Sequence, residues 1–167
     1  MVRRVQDASV LGGDRGLKKP AASTSGARAI VRALKLLPHP EGGHYRETWR
    51  DKPGRDKKKP RGSGTAIYYL LRRGEESRWH RIDAVEIWHH YAGAPLALKI
   101  SIKGKTQTIR LGPNIVRDEQ PQAIVPKGAW QSARSTGAWS LVGCTVSPAF
   151  DFAGFEMAPD GFSPGRR

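Results

Sequence analysis

Between Thr65 and Met157 the chain is cut into short apolar runs punctuated by turn dipeptides. The runs occupy residues 65–71, 78–82, 84–91, 96–102, 107–111, 123–125, 130–133, 138–146 and 154–157. Arg73-Gly74, Gly93-Ala94, Lys103-Gly104, Gly112-Pro113 and Lys127-Gly128 punctuate them. Short runs rich in β-branched and aromatic residues read as strands, and Gly or Pro between them reads as turns. So many strands at such short intervals predict an all-β sandwich or barrel.

One helix is expected ahead of this region, over residues 27–36, with Ser25 as its N-cap. Ile30, Leu34 and Leu37 fall at helical spacing against Arg28, Arg32 and Lys35, and Pro38 and Pro40 stop it. The stretch PHPEGGHYRETWR (38–50) then reads as a Pro/Gly turn leading into an alternating strand. Tyr45, Glu47 and Trp49 share one face, His44, Arg46 and Thr48 the other. The alternation does not say which face points inward.

A chain of 167 residues suits one domain with a proper core. We expect a disordered basic leader over 1–26, the folded domain over 27–162 and a short tail over 163–167. Of the 29 basic and 15 acidic side chains, residues 1–61 hold 16 and 6. The excess therefore sits in the leader and in DKPGRDKKKPR (51–61). No aromatic residue interleaves these lysines, so they read as solvated loops, not as a nucleic-acid surface. The single cysteine, Cys144, excludes a disulfide framework. No apolar run is long enough to span a membrane, and no secretory signal is visible, so a cytoplasmic location is expected.

The stretch from Gly74 to Gly93, GEESRWHRIDAVEIWHHYAG, holds three of the five histidines and two of the five tryptophans. Its spacing runs Gly74, five residues, His80, one residue, Ile82, three residues, Glu86, six residues, Gly93. This resembles the first motif of the cupin superfamily, G-x5-H-x-H-x3-E-x6-G, with one histidine replaced by Ile82. Pro126, Gly128 and Gln131 are similarly placed to the second motif, P-x-G-x-x-H, with Gln131 at its last histidine. The succession LKLLPHPEGGHYRETWR, SGTAIYYLL, SRWHRIDAVEIWHHYAGAPL, QPQAIVPKGAWQSA and LVGCTVSPAFDFAGFEMA resembles cupin-5, a domain-of-unknown-function branch similar in fold to the dTDP-sugar epimerases. The resemblance implies a double-stranded β-helix, the cupin jelly-roll barrel, with a short N-terminal helix and a homodimeric assembly.

Alternate strand residues share a face, so His80 goes with Ile82, and Glu86 goes with Trp88 and His90. If Glu86 faces inward, as its motif position implies, a polar cavity is expected inside the barrel. His80, Glu86 and Asp151 are the candidate catalytic residues: His80 as a base, Asp151 as its orienting carboxylate by analogy with the epimerases. Tyr45, Glu47, Trp88, His90 and Gln131 are the candidate ligand-binding residues. With Ile82 and Gln131 in place of two histidines, no tight metal site and no cofactor is expected. The expected partner is a small polar molecule, with a sugar or sugar nucleotide as the leading class. An epimerase or isomerase with a histidine base, a non-catalytic binding module and a metal-dependent cupin enzyme all remain open on the sequence.

Overall fold

The computed structural model describes residues 24–53 and 61–165. Residues 1–23 of the expected leader and most of the basic 51–61 loop lie outside the described residues. The helix α1 spans Thr24–Ala33, so Ser25 falls within its first turn and does not cap it. It ends on a Schellman motif: Leu36 N–H donates to Val31 O (2.9 Å) and Lys35 N–H to Arg32 O (3.1 Å), with Lys35 at φ 52°. The helix thus stops on its own cap, ahead of the two prolines expected to end it.

Among the described residues, eleven strands follow: β1 (Leu37–Pro38), β2 (His44–Arg50), β3 (Thr65–Arg72), β4 (Glu76–Ile82), β5 (Val85–Gly93), β6 (Leu96–Ile102), β7 (Lys105–Leu111), β8 (Gln122–Val125), β9 (Trp130–Ser135), β10 (Trp139–Ser147) and β11 (Phe155–Met157). One sheet has the order β1-β2-β3-β10-β5-β8, the other β11-β4-β9-β6-β7, and every ladder is antiparallel. Two such sheets packed face to face form the jelly-roll barrel that the strand runs predict.

The interior is filled at one end and open at the other. Leu96, Leu98, Ile100, Leu111, Val125 and Val142 pack with Tyr69 and Trp88 into the main core. On the outside of the larger sheet, Ala27, Ile30 and Leu34 of the helical segment cover Leu70 and Trp139. Burying a Leu or Trp side chain in this way contributes about 1.5–3 kcal/mol each. The open end is lined by the smaller cluster of Ile82, Ala84, Val146, Phe150 and Phe155, and the polar residues gather there.

Candidate functional site

Strand alternation places the site. On β10, Cys144 and Val146 face inward, paired with Ile67 and Thr65 of β3 on one side and with Trp88 and Glu86 of β5 on the other. His80 and Ile82 of β4 face them from the second sheet, backed by Phe155 of β11. These side chains line a cavity of about 240 Å³ together with His39, Glu41, Tyr45, Glu47, Arg50, Phe150 and Phe152.

Strand β2 would alternate Tyr45, Glu47 and Trp49 inward, but it carries a bulge. Glu47 pairs with Ile67 and Trp49 with Ala66, leaving Thr48 as the extra residue. The parity flips there: Trp49 turns out to solvent, and Arg50, opposite Thr65, turns in beside Glu47. The two then form a fork: Arg50 Nε and Nη2 donate to the Glu47 carboxylate at 3.0 and 2.6 Å, and Nη1 donates to Phe150 O at 2.8 Å. This fork and the exposed ring of Phe152 frame the mouth.

His80 is the buried centre, 3% exposed. Its Nδ1 stands 2.7 Å from the Arg78 carbonyl oxygen and 3.1 Å from Glu41 Oε2. A carbonyl oxygen only accepts, so Nδ1 carries the proton, and the neutral ring keeps its lone pair on Nε2. Burial lowers the His80 pKa, partly offset by the nearby Glu86 carboxyl and the Arg78 carbonyl. The neutral form is therefore favoured near pH 7.

Two carboxyls flank it, Glu41 and Glu86, each 7% exposed. Burial raises the pKa of both; His39 and the Ser77 hydroxyl pull Glu41 part of the way back, and His80 and Gln131 do so for Glu86. Ser77 Oγ donates to Glu41 Oε1 at 3.1 Å. The loop bearing Glu41 is fastened to β4 by Arg78 N–H donating to Glu41 O (3.0 Å), and to the core by Tyr69 Oη donating to Gly42 O (2.7 Å). Gly42 has φ +117°, and a Cβ there would fall 2.1 Å from Glu76 O. Only glycine lets the loop lie that close to the barrel.

Gln131, fully buried, is held from two sides. The Trp88 indole N–H, which can only donate, bonds Oε1 at 3.0 Å, so Nε2 must be the atom that donates to Glu86 Oε2 at 2.5 Å. The chain Trp88–Gln131–Glu86 therefore fixes the Glu86 carboxyl in place. It also answers whether a metal suits the positions of His80, Ile82, Glu86 and Gln131. Ile82 presents hydrocarbon, Gln131 turns an N–H toward Glu86, and its oxygen is taken. These four side chains do not fit a metal ion, and among the described residues no three His, Cys, Asp or Glu side chains are grouped to hold one.

Of the expected site residues, His80, Glu86, Tyr45 and Glu47 line the cavity. Trp88 and Gln131 lie just behind it, as support for Glu86. His90 and Asp151 are not brought to it. His90 pairs with Val142 in the same register as Trp88 with Cys144, one step further along β5, and its Nε2 sits 3.2 Å from Ala94 O at the filled end of the barrel. Asp151 is exposed and accepts from Ala153 N–H at 3.0 Å, capping a short 3-10 turn. The carboxylate beside His80 is Glu41 instead. Glu41 and His39 escaped the sequence reading because both sit in a Pro/Gly turn, where polar residues are normally solvated. Arg50 escaped it because the bulge at Thr48 leaves no sequence signature.

The chain matches Cupin_5, the cupin superfamily family DUF985, over residues 28–158. Among solved structures, a protein from Shewanella oneidensis is 39% identical at a TM-score of 0.73, covering 79% of this chain and 84% of its own. A hypothetical protein from Leishmania major is 31% identical at the same TM-score, covering 79% of this chain and 86% of its own. Oxalate decarboxylase from Bacillus subtilis, 15% identical with a TM-score of 0.55, covers 72% of this chain and 29% of its own and shares the fold alone. No curated protein matches.

Proposed function

Because the chain belongs to the Cupin_5 family (DUF985) of the cupin superfamily, we propose that its barrel binds a small polar molecule and that His80 acts on it as a general base. The observation behind this is the tautomer of His80. Nδ1 is tied down by the Arg78 carbonyl, with the Glu41 carboxyl alongside, so Nε2 is the ring atom left for a ligand. Burial keeps the imidazole neutral, the form a base requires. Glu86, whose pKa burial raises, keeps its proton more readily than an exposed carboxyl and supplies an acid in the same cavity.

A base and an acid around one ligand suit removal of a proton from carbon and its return, which is the chemistry of an epimerase or isomerase. A sugar or sugar nucleotide is the leading class. The cavity of about 240 Å³ is smaller than the roughly 300–1,000 Å³ of drug-sized sites, so it takes about one ring, and any nucleotide would lie beyond Phe152. The outer face of the larger sheet carries exposed Trp49, Val85, Tyr91 and Ile124, an apolar surface suited to a homodimer. Sedimentation of wild type and Trp49→Lys tests that assembly, which fails if both are monomers.

The catalytic reading is tested in deuterium oxide with a panel of ketoses and keto-sugar nucleotides. Wild type should wash deuterium into the carbon beside the carbonyl, and His80→Gln should slow this by about 100-fold or more while still binding the ligand. Equal rates in the two proteins would remove His80 as the base.

A further inference from the structure

The lining of the cavity is unbalanced in charge. Glu41, Glu47 and Glu86 contribute three carboxyls, and Arg50 is the single Arg or Lys side chain among the lining residues. Its guanidinium is already spent on Glu47 and the Phe150 carbonyl. Among the described residues, an anion entering here meets carboxyls and no free cation.

The apolar part of the wall points the same way. Phe150, Phe152 and Phe155 meet edge to face, with centroids 5.0, 6.1 and 6.1 Å apart. Phe152 remains 57% exposed. Ring faces set at right angles around an opening, next to carboxyls, are the surroundings in which organic cations are stabilised. Independently, His80 is almost wholly buried, yet its Nε2 has no hydrogen-bond partner among the described residues. That nitrogen is open to the cavity, where a ligand meets it.

We propose that the cavity is built for a ligand that carries a primary ammonium group, met by the Glu41 carboxyl, which leaves Nε2 of His80 and the Glu86 carboxyl for the reacting carbon. The ammonium N–H bonds meet carboxylate oxygen, and the carbon bearing the nitrogen lies against the phenyl wall. An amino sugar or a similarly small amine has this chemistry. Burial raises the Glu41 pKa, so an incoming cation also draws that carboxyl toward the ionised form.

This inference rests on the reading of the cavity as a ligand site and narrows what enters it. Three hexoses matched in size separate the two: glucosamine, glucose and glucuronate, titrated by calorimetry at a pH where the amine is protonated. Glucosamine should bind at least about tenfold more tightly than glucose, and glucuronate most weakly. Glu41→Gln keeps an acceptor for Ser77 and should reduce the preference for glucosamine to about twofold. If glucose or glucuronate binds as well as glucosamine, the ammonium assignment falls while the ligand site stands. If none of the three binds or perturbs the His80 imidazole resonances at millimolar concentration, both fall.

Discussion

Glu41 holds its Oε2 3.1 Å from Nδ1 of His80, joining a loop carboxyl to a strand imidazole inside the barrel wall. Glu41 lies along the Nδ1 edge of the ring, and its carboxyl takes its hydrogen bond from the Ser77 hydroxyl. Removing the carboxyl leaves the fully buried Ser77 hydroxyl without its acceptor. Glu41→Ala should cost about 1–3 kcal/mol by urea denaturation, whereas Glu41→Gln, which keeps an acceptor oxygen, should cost less. Nitrogen NMR should find the His80 proton on Nδ1 in wild type; a proton on Nε2 would contradict the assigned tautomer.

Stability should carry a particular pH signature. Burial raises Glu86 above its ordinary value of 4.5, so the native state keeps a proton that the unfolded chain gives up. Glu86 therefore costs stability progressively as pH rises from about 4.5 through its folded value, by at most about 1.4 kcal/mol per pH unit. Facing it are His80 from β4, Gln131 from β9, Cys144 from β10 and Glu41 from the loop. His80, lowered from 6.5, acts in the opposite sense, costing stability as pH falls below that value. The difference between Glu86→Gln and wild type should thus move in favour of the variant as pH rises above 4.5. Denaturation at a series of pH values measures it, and a flat difference contradicts the burial effect.

The fork between Glu47 and Arg50 stands at the mouth with both side chains about half exposed, so it contributes little to folding. Glu47→Gln should change stability by less than about 1 kcal/mol. Its effect on ligands should be larger. With the guanidinium released, glucuronate affinity should increase by about tenfold, read in the same calorimetric titration.

Thr48 gives a sharper structural test. Because it is the extra residue of the bulge, removing it leaves Glu47 opposite Ile67, Trp49 opposite Ala66 and Arg50 opposite Thr65, the pairings already present. A deletion inside a strand normally rotates every later side chain to the wrong face. Here the deletion should melt within a few degrees of wild type, losing mainly the Thr48 hydroxyl bond to Ala66 O. Deleting Tyr68 from β3 should prevent folding. Circular dichroism melts distinguish the two.

Metal content follows from the donor set. Purified protein should hold well under one equivalent of zinc, iron, manganese or nickel by elemental analysis. Ile82→His with Gln131→His, supplying two imidazoles beside His80 and Glu86, should raise retention. Stoichiometric metal surviving chelation in wild type would contradict the mismatch described for these four side chains.

Much of this was legible in the chain. Strand β6 falls at the residues where its apolar run predicts it, and most other strands within a residue or two, because period-two alternation and Gly turns are local signals. His80 and Glu86 were legible for the same reason, sitting on well-formed strands at motif spacing. His90 was not, since it keeps the alternation with Trp88 but lies one step further along β5, opposite the core residue Val142 and past the cavity. Asp151 was misread because a carboxylate near a strand end looks the same on paper whether it faces a histidine or caps a turn. Glu41 acquires its burial from β4, far along the chain, and no local pattern records that contact.

The turn held against the barrel by Gly42 has an evolutionary meaning. His80 and Glu86 ride on the scaffold strands, but Glu41 and His39 arrive on a five-residue turn, 39–43, between β1 and β2. Rewriting that turn would exchange the neighbour of the imidazole while leaving every barrel ladder intact. Descendants of this chain can therefore change what stands beside the imidazole through one short edit, and a chain that keeps both barrel motifs need not keep the same cavity.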